Sequence, residues 1–307
     1  MDRFHLMLCF ARAVETGSFS AVARELRTGQ PNISRQIAAL ERHLGVRLLH
    51  RSTRKLTLTP EGERYYADAR RILDATDEAE SIARGEDKPS GLLRVACPTV
   101  LGRTHVLPLL AAFLTDYPEI QMDLQMGDRF SDLIEEGVDV AIRIGTLKDS
   151  GLRARRVGLA ERVCVASVAY LGRHPAPSVP SDLAEHDCIL YTGSTTGNAW
   201  LFEGHEVAVT GRLSMNNPDG IYRAVLDAVG VANVPIWLFE HELLDGRVQA
   251  VLRDFRLQPA PIQLVYSAQR LLPLRARVFM DFIAEEFSRH PTLNEGGLEH
   301  VLRKVGN

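Results

Sequence analysis

The sequence predicts a winged helix-turn-helix head (α-helical with a small β wing), a long linker helix, and an α/β body of two subdomains. Three observations carry this. Apolar residues recur at helical spacing as far as Gly45 and then yield to a short alternating stretch. From Pro60 a heptad-spaced run continues for about three repeats. Beyond a polar linker, strand-like and helix-like runs take turns.

Phe4, Leu8, Ala11 and Val14 share one helical face, and Gly17 ends that helix. Ser18 is the expected N-cap of a second helix, SFSAVAREL, with Val22 and Leu26 turned inward. After the break Arg27-Thr28-Gly29, a third helix runs to about Leu44 on the stripe Ile33, Ile37, Leu40 and Leu44. VRLLHRSTRKLTLTP then alternates around a basic turn, which predicts a two-stranded ribbon. Pro60 opens the long helix, as proline favours a helix start. Its seam is Tyr65, Ala69, Ile72, Thr76, Ala79 and Ala83, flanked by Arg64, Arg70, Arg71, Asp77 and Glu80. So long a stripe on so small a head calls for a partner helix, the alternative being a solitary amphipathic helix packed on its own chain.

GEDKPSG, residues 85–91, is the clearest linker. After it come the strand LLRVACP, the helix LPLLAAFLTDY, the strand IQMDLQM, the helix FSDLIEEG and the strand DVAIRIG. A second group of strands and short helices fills about 160–265, after which IQLVYS and a helix around Arg275–Arg289 resume the first pattern. Residues 291–307 are polar, and the sequence assigns them no role.

Hydrophobic content of 45% and charge of 24% are those of an ordinary soluble protein. MDRFHLMLCFARAVETGS mixes acid, base and His into its apolar residues and reads as an amphipathic helix rather than a signal peptide, so a cytoplasmic protein with no membrane partner is expected. Cys9, Cys97, Cys164 and Cys188 form no CxxC pair and sit in apolar runs, as core cysteines do, with a thiol switch as the lesser alternative. No metal or cofactor is expected. Residues 1–60 hold ten Lys/Arg against four Asp/Glu, a net +6, while the remainder holds 26 against 35, a net −9. A basic first fifth on an acidic body suits a protein that grips a polyanion at one end.

With Ile33 and Ile37 in the core, Gln30, Pro31, Ser34 and Arg35 lie together on the opposite face, and Asn32 and Gln36 at its edges. Arg can grip guanine O6/N7 in bidentate fashion, and Gln or Asn can do the same for adenine. Two helices joined by a tight turn, the second presenting such groups at its N-terminal end, are a helix-turn-helix. The turn Arg51-Ser52-Thr53-Arg54-Lys55 would be the wing, reaching phosphates or a neighbouring minor groove. The bland alternative is a solvated helix face beside a basic hairpin.

The segment SFSAVARELRTGQPNISRQIAALERHLGVRLLHRSTRKLTLTPEGERYY resembles the DNA-binding part of LysR-type transcriptional regulators. YPEI, DLIEEGVDVAIRIG, DLAEHDCILY and FMDFIAEEF continue the resemblance over about residues 3–290. It implies a regulator of promoter DNA with a dimerising linker helix and an effector domain like a periplasmic binding protein, often assembled as a homotetramer from two homodimers. The implied division is 1–60 for DNA binding, 61–90 for the dimerisation helix and hinge, and 91–290 for a small-molecule effector. Subdomain I would span about 91–160 and 266–290, and subdomain II about 161–265. By motif match Gln30, Pro31, Ser34 and Arg35 face bases, with Arg51 and Arg54 on the wing. Two positions depart from the pattern: Arg27 stands where the turn often has Gly, an extra cation that could add a phosphate contact, and Asn32 stands where a small apolar residue is usual, a side chain that could add base readout.

In an open α/β domain the ligand lies off the carboxyl ends of the strands. Pro98-Thr99-Val100 follows the first strand of the body, where free N–H groups and the Thr99 hydroxyl suit a carboxylate. Arg143 and Gly145 end the third strand. The resemblance adds Thr192, Gly193, Trp200, Asn216, Asn217 and Pro235. Each has a structural alternative: Trp200 as core, Arg143 paired with Asp128 or Asp139, Asn216-Asn217-Pro218 as a helix cap. The expected effector is anionic. An enzyme is the first rival, but GxSxG, HExxH, P-loop and GxGxxG patterns are lacking. A solute-binding module is the second, and the basic first segment argues against it.

Overall fold

The structure is a computed structural model, and it describes residues 2–51, 56–83, 88–128, 137–146, 151–193, 196–268 and 272–305. The chain divides into two compact units, the first essentially Met1–Gly91 and the second most of the remaining residues.

In the first unit, α1 (Arg3–Thr16) is capped by Asp2, whose Oδ1 accepts the N–H groups of Phe4 at 3.0 Å and His5 at 3.2 Å. Ser18 caps α2 (Phe19–Glu25), and α3 (Gln30–Leu44) ends at Gly45 in the left-handed region (φ 72°) that glycine enters without strain. Leu6, Cys9, Phe10, Val22, Ile33, Ile37 and Leu40 form the head's core together with Leu48 and Leu49. The apolar stripe expected of α3 therefore faces that core. Strands β1 (Leu49–Arg51) and β2 (Leu56–Leu58) pair antiparallel as the ribbon, hung from α3 by Glu41, whose Oε1 accepts the Leu48 and Leu49 N–H groups. Helix α4 (Pro60–Ala83) starts where the Thr59 hydroxyl accepts the Gly62 N–H at 2.9 Å. A side chain at position 62 would collide with the Leu48 carbonyl, 2.0 Å from an ideal Cβ, so only glycine lets the ribbon lie this close to the helix.

The expected heptad seam on α4 splits. Tyr65 packs against Phe10, Ala69 is fully buried, and Leu73, outside the predicted seam, is buried as well. Ile72 (48% exposed) and Ala79 point to solvent, and the side chain of Ala83 is outside the described residues. The first part of the seam is thus used within this chain, because α1 needs cover as much as α4 does.

The second unit holds two five-stranded sheets. The first, ordered β4-β3-β5-β14-β6, comprises β3 (Gly91–Cys97), β4 (Ile120–Met126), β5 (Val140–Ile144), β6 (Leu152–Ala160) and β14 (Ala260–Ser267). The second, ordered β11-β8-β12-β7-β13, comprises β7 (Arg162–Ser167), β8 (Cys188–Tyr191), β11 (Leu213–Met215), β12 (Val231–Pro235) and β13 (Val248–Val251). A hairpin of β9 (Ala199–Phe202) and β10 (His205–Ala208) completes the strands. Helices α5 (Thr99–Leu101), a π-turn (Gly102–Val106) and α6 (Leu107–Asp116) follow β3, and α7 (Val168–Leu171) follows β7. Helices α8 (Pro218–Leu226), α9 (Glu240–Leu244), α10 (Leu274–Arg289) and α11 (Gly297–Val305) come later. Because β14 pairs with both β5 and β6, the chain is back in the first sheet by Ala260, ahead of the 265/266 boundary read from the sequence. The helix expected over FSDLIEEG falls mostly on residues outside those described.

The polar tail is a built part of this unit. Leu293 and Val301 are fully buried, the Leu159 N–H donates to the Leu293 carbonyl at 2.7 Å, and Glu161 accepts the Leu298 N–H at 2.6 Å. Helix α11 packs on α9 and on the short turn Ile236–Leu238. Among the described residues no helix is long and apolar enough to cross a membrane.

Candidate functional site

The first candidate site is the N-terminal face of α3. Gly29 caps the helix with no side-chain bond and Pro31 occupies its first turn, so the opening turn is left to present side chains. Gln30, Pro31 and Arg35 are exposed, and Ser34 is half-buried. Two flanking residues are drawn into the head instead. The Asn32 amide nitrogen donates to the Thr28 hydroxyl at 3.0 Å, and Gln36 Oε1 accepts the Cys9 thiol hydrogen at 2.8 Å. Asn32, read as an added base-reading group, thus has its donor engaged in bracing the turn. Arg27 is exposed and sits in the left-handed region (φ 49°), unusual for a residue with a side chain. Arg51 ends β1 with its side chain outside the described residues, as is the whole of Arg54.

Electrostatics sharpen this face. Asp2 caps α1, Glu41 holds the ribbon, and Arg12 binds Glu25 through two hydrogen bonds of 2.7 and 2.9 Å and also Glu15. These partners, Glu25 foremost, raise the Arg12 pKa above its ordinary value. All four acids of residues 1–60 are therefore spent internally, while Arg24, Arg27, Arg35, Arg42 and Arg47 remain exposed.

The second candidate site is a cavity of about 400 Å³ between the two sheets, at the ends of β3, β5, β8 and β12. Ile189, Trp200, Ile221, Trp237 and Leu238 give it an apolar wall, and Asp128, Arg143, Arg162, Tyr191, Asn233 and Gln258 supply polar groups. Arg143, only 7% exposed, comes from β5. Arg162 opens β7 and is clamped by Asn233 on β12, with Nε donating to Oδ1 and Nη2 to the carbonyl, both at 2.7 Å. Burial pulls its pKa down to about 10, which keeps the guanidinium charged at neutral pH. Tyr191 is pushed up, first by burial and then by Asp128, so its hydroxyl keeps its proton. The thiol of Cys97 is raised by burial, with Arg143 and Asp128 acting in opposite senses.

Of the predicted effector-binding residues, Pro98, Val100, Arg143, Gly145, Trp200 and Pro235 line this cavity. Trp200 also belongs to a core cluster with Tyr170 and Phe202, so both readings of it apply. Thr99, Thr192 and Asn216 lie outside this wall. The Thr99 N–H, expected to be free for a ligand, donates to Asp128 Oδ1 at 3.0 Å. Thr192 is exposed with its N–H on the Met215 carbonyl, and Asn216 is exposed beside Asn217, which caps α8. Asp128, Arg162, Tyr191 and Asn233 were missed. The one signal for Arg162 was a cation opening the otherwise apolar strand RVCVAS.

The chain matches the description "Bacterial regulatory helix-turn-helix protein, lysR family" over residues 4–63 and "LysR substrate binding domain" over residues 86–288. It belongs to the LysR family of transcriptional regulators, with a DNA-binding helix-turn-helix and an effector-binding domain. Among curated relatives, the HTH-type transcriptional regulator PtxR of Pseudomonas aeruginosa is 36% identical over 290 residues, 93% of each chain. The HTH-type transcriptional activator AaeR of Escherichia coli is 32% identical over 292 residues, 94% of each. The solved structure of CrgA, a LysR-type transcriptional regulator from Neisseria meningitidis, is similar with a TM-score of 0.59 at 33% identity, covering 92% of this chain and 98% of that one.

Proposed function

We propose that this regulator reads promoter DNA through Gln30, Pro31, Ser34 and Arg35, with Arg27, Arg51 and Arg54 on phosphates, and that a small anionic effector in the cavity modulates that binding. The head would span residues 1–60, the dimerisation helix and hinge 61–90, and the effector domain 91–290. Exposed Ile72 and Ala79 on α4 support pairing with a second copy, and two such homodimers would make the homotetramer. The protein would act in the cytoplasm, where its promoter lies.

The observation that carries the DNA reading is the exposed polar and cationic opening of α3 on a head whose acids are all engaged internally. The anionic reading of the effector rests on two arginines, Arg143 and Arg162, set against one carboxylate in an apolar-walled cavity. A gel-shift titration of promoter fragments across salt concentrations tests the first. Affinity should fall steeply with salt as counterions are released, with log K dropping roughly 0.9 per phosphate contact for each tenfold rise in salt. A salt-independent affinity, or equal affinity for every fragment, would count against it.

A further inference from the structure

The cavity contains an internal carboxylate where its strand topology would seat a ligand's. Strands β3 and β5 run parallel with Ala96 opposite Ala141, which sets Pro98 beside Arg143 two residues on. Strand β4 lies on the other side of β3, and Asp128 follows it. Arg143 and Asp128 therefore come from strands that flank the Pro98–Thr99 turn, one basic and one acidic. Asp128 commits Oδ1 to the Thr99 N–H at 3.0 Å and lines the cavity, and among the described residues its Oδ2 has no hydrogen-bond partner.

We infer that Asp128 is the specificity-determining residue of this cavity, which selects a carboxylate carrying an adjacent hydrogen-bond donor, an α-amino or α-hydroxy acid, over a plain carboxylate. The inference rests on the proposed anion-binding role of the cavity. A bare carboxylate brought to the Thr99 turn meets the Asp128 charge and finds the turn's N–H already taken. Shifted toward Arg143 and the one guanidinium nitrogen of Arg162 that Asn233 leaves over, Nη1, it escapes that repulsion. An ammonium or hydroxyl on the next carbon then donates to Asp128 Oδ2. Tyr191 adds to the demand: its burial keeps the hydroxyl protonated, so it donates and leaves Asp128 as the cavity's acidic acceptor. A site that offers an acceptor favours the ligand that carries the matching donor, because the half-buried Asp128 carboxylate at the cavity wall otherwise faces the ligand's charge unpaired. The wall of Ile189, Trp200, Ile221 and Trp237 suits an apolar or aromatic remainder.

The test uses the full-length protein and three probes on one carbon skeleton: 3-phenylpropanoate, L-3-phenyllactate and L-phenylalanine, titrated by calorimetry. The wild type should bind at least one donor-bearing probe roughly tenfold or more tighter than phenylpropanoate. Asp128→Asn keeps the size and an oxygen for the Thr99 N–H but offers an NH2 to the ligand, so the order of L-phenylalanine and phenylpropanoate should reverse, because an ammonium cannot accept from that NH2. Asp128→Ser, smaller and uncharged, should abolish the preference in either direction. If phenylpropanoate binds the wild type as tightly as the others, or if the preference survives in both variants, the role of Asp128 is overturned while the anion-binding cavity stands. If none of the three binds, or if Arg143→Gln leaves their affinities unchanged, the anion-binding reading itself fails and takes the inference with it.

Discussion

The thiol of Cys9 in α1 donates to Oε1 of Gln36 in α3 at 2.8 Å, joining the first helix to the one that carries the candidate DNA-reading face. Cys9 is fully buried, and burial pushes its pKa up to about 11, so it stays a thiol and stays a donor at neutral pH. Gln36 is thereby spoken for by the core. Gln36→Ala should cost about 1 kcal/mol in denaturant unfolding and leave the preference among operator bases unchanged. Its neighbour Arg35, exposed on the same helix, should behave in the opposite way. Arg35→Ala should leave unfolding nearly unchanged, weaken operator binding by about 1–3 kcal/mol and relax discrimination at one base pair. Uniform weakening over all sequences would make Arg35 a phosphate contact instead.

Arg27 adopts a backbone conformation that costs an L-residue roughly 1–2 kcal/mol relative to glycine. Arg27→Gly should therefore raise the unfolding midpoint. If the guanidinium touches a phosphate, the same variant lowers the salt dependence of operator binding by about one contact. A stabilised protein with an unchanged salt slope would show that the cation at this turn does not reach DNA.

Ile72 is exposed to 48% on α4, beside Ala69 and Leu73, which are packed within the chain. Ile72→Glu should leave the helical signal intact and shift the sedimentation equilibrium from dimer toward monomer. An unaltered dimer would move the self-association surface off this helix.

Stability should also fall with acidification through a histidine. His105 stands edge-on to Trp237 and His290, at ring-centre distances of 5.2 and 4.6 Å, and burial pulls its pKa from 6.5 down to about 4, with His290 adding to the effect. A pKa lowered by folding means the unfolded chain binds the proton first. The stability is full above pH 6.5, is lost progressively as pH falls toward 4, and amounts to at most about 3 kcal/mol, less what solvent screens. His290 and His186, also lowered mainly by burial, act in the same sense. Thermal unfolding should show a midpoint that drops between pH 6.5 and about 5, and His105→Gln should flatten that drop.

How much of this was legible depends on sequence separation. The head is local: Ile33, Ile37 and Leu40 fall on one stripe whatever the rest of the chain does, so the third helix and its outward face followed from spacing. The seam on α4 was half legible, because periodicity marks an apolar face and says nothing of which neighbour covers it; Phe10 covers Tyr65. The cavity was less so. Arg143 and Pro98 stood at strand ends where ligands gather, but Arg162 and its clamp Asn233 are 71 residues apart, and only the register of β7 with β12 brings them together. That the Thr99 N–H is already engaged was not legible, because its partner, Asp128, lies 29 residues away. The tail carried a signal that polarity obscured: Leu298, Val301, Leu302 and Val305 share one side of α11.

That last helix bears on how the sensor half can be produced alone. A fragment stopped at residue 288, where the match to the LysR substrate binding domain ends, would discard Leu293 and Val301, open the core they fill, and strand the Leu159 N–H and the Glu161 carboxylate. Soluble expression of the isolated sensor therefore calls for a stop codon beyond Val305, and an affinity tag belongs ahead of Gly91 rather than in place of the C-terminal turn.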